Sequence, residues 1–146
     1  MRRLVFVAPY ALDATSRFVS AVAGLTGGDE AAVGLLSSDP VDRFPPAVRA
    51  RLAGHYRIGD CLDPAELAAG VRALAGPLGG VDRLVAILEN LQVPLAVVRE
   101  ELGEDGLGAE VATNFRDKAQ MKTVFEQAGV PCARHRRVDD AAGALA

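Results

Sequence analysis

The chain has 146 residues, 50% of them hydrophobic and 24% charged, enough for one packed domain and the opening of a second, so disorder is set aside. A formal net charge of −3 excludes a general nucleic-acid binder, which grips phosphate through surplus Lys and Arg. Cys61 and Cys132 form no CxxC pair, which argues against a disulfide framework or a structural zinc site and fits a reducing cytoplasm. The apolar start from Leu4 to Ala8 is interrupted by Pro9, Asp13 and Arg17, well short of the roughly 20 residues that span a membrane.

Leu4 to Ala8 reads as a buried strand, ended by Pro9. Asp13 or Thr15 is then expected to cap a helix with Phe18, Val19, Val22 and Leu25 on its buried face, stopped by Gly27-Gly28. Ala31 to Leu36 is a second strand, completing a βαβ unit. Pro45-Pro46 open a short helix, and His55 to Ile58 form a short third strand. Asp63 with Pro64 is a helix start, because Asp accepts the orphan N–H groups and Pro has none to lose. Leu67, Val71, Leu74 and Leu78 supply that helix's buried face, and Gly79-Gly80 end it.

A fourth strand is expected over 82–88, followed by a helix with Leu91, Leu95, Val98 and Leu102 on one stripe and Pro94 in its first turn. Strands alternating with helices predict an open α/β parallel sheet flanked by helices. Gly103 to Gly108 reads as the exit loop. Beyond it, 117–128 is a helix with Met121, Val124, Phe125 and Ala128 on one face, and Gly129 followed by Pro131 closes it. A strand over 132–138 and a helix opening at Asp139-Asp140 complete the reading.

The segment Phe115-Arg116-Asp117-Lys118-Ala119-Gln120-Met121-Lys122, followed by Ala128-Gly129-Val130-Pro131-Cys132-Ala133-Arg134, resembles the opening of the ATP-grasp domain. Leu88-Glu89-Asn90 is similar to the Ser-Glu-Asn region of biotin carboxylases, with Leu in place of Ser. The general likeness is to carboxylate–amine ligase-like members. It implies a Rossmann-like pre-ATP-grasp domain over 1–113 and a truncated helix–strand–helix start of the ATP-grasp domain over 114–146. By the same resemblance the full-length enzyme uses ATP and Mg²⁺ to activate a small-molecule carboxylate as an acylphosphate, which an amine or similar nucleophile then displaces. Lys118 corresponds to the family's phosphate-contacting lysine, a compact charge suited to polyphosphate. The Gly-rich loop, second lysine and acidic Mg²⁺ ligands of the family have no counterpart in the sequence, so no catalytic or metal-ligating residue is assigned, and the chain alone is expected not to turn over.

Open α/β sheets bind ligands beyond the carboxyl ends of their strands, which makes Tyr10 and Glu89 the substrate-side candidates. Against this, Ser37 to Pro40 serve equally as turn residues and Glu89-Asn90 as a helix cap. Neither GxGxxG after the first strand nor GxxxxGK[ST] occurs. His55 and His135 have no metal-ligand spacing, and Arg134 to Arg137 read as either a solvated edge or an aid to attracting ATP. The rival reading is a non-catalytic Rossmann-like module for a small ligand or partner; oligomeric state stays open, a homodimer included.

Overall fold

The computed structural model describes residues 1–25, 31–136 and 138. Four parallel strands form one sheet in the order β3-β2-β1-β4: β1 (Arg2–Val7), β2 (Ala31–Ser37), β3 (Gly54–Arg57) and β4 (Arg83–Ala86). Val5 lies opposite Gly34 of β2 and Leu84 of β4, and Leu36 lies opposite Tyr56. The aliphatic runs that mark β1 and β2 are buried on both faces, as a parallel sheet requires. Because side chains alternate along a strand, Val5 and Val7 join Leu36 and Leu84 in one core, against Leu67, Val71 and Leu74 of α3 (Pro64–Leu78) and Leu95 and Val98 of α4 (Gln92–Leu102). Phe6, Val33 and Leu35 face the other way, onto Val19 and Ala23 of α1 (Asp13–Gly24) and Val48 of α2 (Pro46–Arg49).

Local chemistry sets most boundaries where the sequence puts them. Asp63 accepts from the Ala65 N–H at 2.8 Å and Pro64 takes the first helical position. Arg3 ties the entrance of β1 to that of β4: Asp82 accepts from the Arg3 backbone N–H at 2.8 Å and from its Nε at 3.0 Å, and the Asp82 N–H returns a bond to the Arg3 carbonyl at 2.8 Å. The Arg3 guanidinium beside it holds the Asp82 carboxyl down to about 2. Among the described residues no helix is long and apolar enough to cross a membrane.

Five expectations are corrected. In α1 the buried residues are Thr15, Val19 and Ala23, whereas Phe18 and Leu25 are 53% and 47% exposed; a narrow sheet meets only one edge of the apolar stripe. The N-cap there is Leu12, with no side-chain bond, and Asp13 is already helical. A helix missing from the reading, α5 (Ala109–Arg116), follows the exit loop and buries Ala112. No strand forms among the described residues of 132–138, since no neighbouring strand pairs with their backbone there. The helix at 117–128 is present as α6 (Lys118–Gln127) and ends at Gly129, whose φ of 69° suits glycine. None of its side chains is buried, however, so Met121, Val124, Phe125 and Ala128 form no core face. The stop at Gly27-Gly28 and the helix from Asp139 fall outside the described residues.

Candidate functional site at the strand switch

The strand order reverses between β1 and β4, because the chain winds outward from β1 to β2 and β3 and then returns to add β4 on the other side. Such a switch leaves a crevice beyond the carboxyl ends of the two strands. The loop that follows β1 carries Tyr10, half exposed. The turn that follows β4 is a short 3-10 segment, Glu89–Leu91.

The loop after β2, by contrast, is fully engaged in bracing. The Pro9 carbonyl accepts from the N–H groups of Ser38 at 2.9 Å and Asp39 at 3.1 Å, and Asp39 Oδ2 accepts from the Ala11 N–H at 2.9 Å. Ser37 is buried and its hydroxyl donates to the Asp39 carbonyl at 2.7 Å, so its contact with His55 Nε2, also 2.7 Å, requires the imidazole to donate. Burial, followed by the charge of Arg57, pushes the His55 pKa down and favours that neutral ring. These are turn contacts, and they leave Asp39 already spoken for.

Next to β4 lies a cavity of about 680 Å³. Ala86, Leu88, Leu91 and Leu95 form its inner wall, Leu107, Ala112 and Phe115 the wall contributed by α5, and Glu89 and Lys118 its charged rim. Two residues singled out from sequence thus line one cavity, while Tyr10 lies outside it. Lys118 is the first residue of α6. Its helix start is fixed by Asp117, which accepts from the N–H groups of Ala119 at 2.8 Å and Gln120 at 3.1 Å. Lys118 Nζ reaches the Phe115 carbonyl at 3.4 Å and has no carboxylate partner among the described residues. Glu89 caps no helix: the 3-10 turn and α4 both start without a side-chain cap. Its Oε1 instead stands 3.8 Å from Nη1 of Arg116.

Arg99, which also lines the cavity, was not singled out from sequence. Its Nε and Nη2 donate to the Leu84 carbonyl at 3.1 and 2.7 Å, and Glu104 Oε2 accepts from the Leu84 N–H at 2.8 Å. The pair takes the place of a fifth strand along the outer edge of β4, where unpaired backbone would otherwise face solvent. Burial pulls the Arg99 pKa down, with Glu104 acting against it. Arg116 was missed as well, although its position two residues before Lys118 was in view. What hid both was the absence of α5 from the sequence reading, since α5 closes the cavity. Val111, Ala112 and Phe115 at helical spacing were the available signal.

Among the described residues no group of His, Cys, Asp or Glu could hold a metal ion. Glu89 is the lone carboxylate on the cavity lining, too few for magnesium, which needs several converging oxygens. The Lys118 end of the rim does fit an anion with an apolar neighbour: an ammonium at the mouth and apolar walls behind it, with Glu89 at the other end.

No family model matches the chain. Two alanine–anticapsin ligases, one from Bacillus subtilis strain 168 and one from Bacillus subtilis, are similar to it, at 37% identity over 59 residues and 38% over 58. Each match covers 40% of this chain and 12% of the relative. Among solved structures, phosphoribosylglycinamide synthetase from Anaerococcus prevotii superposes with a TM-score of 0.64 at 19% identity, over 97% of this chain and 32% of that one. L-amino acid ligase from Bacillus licheniformis does so with a TM-score of 0.60 at 17% identity, over 90% and 31%. The chain therefore spans about a third of the solved structures and a smaller part of the curated relatives. The sequence likeness is thus to two ligases over 40% of this chain, and the likeness to the solved structures is one of α/β fold.

Proposed function

We propose that the full-length protein is an ATP-dependent ligase that activates a small carboxylate as an acylphosphate and joins it to an amine or similar nucleophile. What supports this most is that Lys118 and Glu89, chosen independently from sequence, stand on the rim of one cavity beside the strand switch. In this reading Lys118 neutralises the polyphosphate, an electrostatic task that needs no proton transfer. A carboxylate oxygen attacks the γ-phosphorus and ADP leaves. The amine then attacks the acyl carbon, expelling inorganic phosphate. Glu89 lies on the substrate side, and Tyr10, across the switch from it, serves the same side from the β1 loop. Residues 1–113 form the substrate-side unit, and 114–146 begin the nucleotide-binding unit. Magnesium, by this proposal, is held by residues beyond those described, and no step here passes through it.

The test is Lys118→Ala in the full-length protein, reading ATP-dependent phosphate release across a panel of small carboxylates and amines. kcat/KM for ATP should fall by about 100-fold. The melting temperature should stay at the wild-type value, because an exposed lysine does not hold the core. Wild-type kinetics in that variant would remove Lys118 from the site and the reading with it.

A further inference from the structure

Beside Glu89 on the rim stands a second cation that the reading above leaves without a task. Arg116 closes α5, one residue ahead of the Asp117 cap and two ahead of Lys118, and its Nη1 stands 3.8 Å from Glu89 Oε1. Both side chains are more than half exposed, at 51% and 59%. The separation is longer than a hydrogen bond, and an exposed pair of this kind holds only weakly in water. A polyphosphate presents several anionic oxygens that a guanidinium fork can take two at a time. One carboxylate at 3.8 Å cannot compete with that.

We infer that Arg116 changes partners: without nucleotide it rests on Glu89, and with a nucleoside triphosphate bound it moves to the polyphosphate beside Lys118, uncovering the Glu89 carboxylate on the substrate side. The inference rests on the reading of Lys118 and Glu89 given above. It makes nucleotide binding a condition for exposing the group that meets the substrate, so the two halves of the cavity are coupled through one guanidinium.

The experiment is calorimetric titration of the full-length protein with Mg-ATP, in wild type, Arg116→Ala, Glu89→Gln and the double variant, with Lys118→Ala alongside. Arg116→Ala should raise Kd by about tenfold, the loss of a charge-assisted contact. Glu89→Gln should lower Kd by about threefold, because the competing carboxylate is gone, and should change nothing once Arg116 is already alanine. A mere brace between the turn after β4 and α5 would give the opposite sign for Glu89→Gln, which would then weaken binding as Arg116→Ala does. Wild-type affinity in Arg116→Ala, or tightening by Glu89→Gln that persists without Arg116, overturns the exchange. Weakening in Lys118→Ala alone refutes the exchange and keeps the nucleotide reading; weakening in Arg116→Ala alone keeps a nucleotide on Arg116 and refutes the role given to Lys118. Absence of Mg-ATP binding by the wild type overturns the two together. Thermal melts of each variant should match the wild type, since these half-exposed positions do not hold the core.

Discussion

Removing the Asp117 carboxylate separates the local stability of α6 from that of the sheet. In Asp117→Ala the Ala119 and Gln120 N–H groups lose their acceptor, bonds now at 2.8 and 3.1 Å. Loss of an N-cap of this type costs about 1 kcal/mol, up to about 2, and α6 has no buried side chain to offset it. The whole cost therefore falls on a helix of ten residues that would be marginal in isolation. Its local opening should rise by about 5- to 30-fold, since 1.4 kcal/mol is a factor of ten. Native-state hydrogen exchange reads this at Met121 to Val124, beginning with the Met121 N–H that now bonds the Asp117 carbonyl at 2.8 Å. Amides of β1 and β2, buried between two helix layers, should exchange at the wild-type rate. Unchanged exchange in α6 would refute the capping argument; equal acceleration in β2 would refute the claim that α6 opens by itself.

Two predictions concern the scaffold. The Asp82 carboxyl is held down to about 2 from 3.8, chiefly by the Arg3 side-chain hydrogen bond, so its contribution is complete above 3.8 and lost as pH falls through about 2. Asp82→Asn should melt below wild type at pH 5, and the two curves should converge as pH falls below about 2; a constant gap would contradict the linkage. At Gly70 an added Cβ would stand 2.5 Å from Leu36 Cδ1 and 3.3 Å from Ile58 Cγ2. Gly70→Ala gains about 1 kcal/mol of helix propensity, but overpacking costs about 1–3 kcal/mol. Denaturant titration should show net destabilisation, and a higher midpoint would mean that α3 yields more readily than its packing implies.

How much was legible in the sequence follows the range of the interactions involved. The Asp63-Pro64 start, the Gly79 and Gly129 stops and the aliphatic runs of β1 and β2 depend on neighbours within a few residues, and they stand where the sequence puts them. The α1 stripe could be read as helical but not oriented, because which of Phe18 and Val19 turns inward is decided by the sheet. The strand expected at 132–138 needed a partner strand, which local pattern cannot supply. Lys118 was found through motif resemblance, and Glu89 through its place beyond the carboxyl end of a strand. That α5 brings them onto one cavity, with Arg116 beside Glu89, follows only from the packing of α5 on α4 and α6.

A structure of the full-length protein with a bound ATP analogue bears most directly on the central proposal. The account predicts Lys118 Nζ within about 3 Å of a phosphate oxygen, at the head of the helix that Asp117 caps. An ammonium turned into bulk solvent, with the nucleotide seated elsewhere, would contradict it.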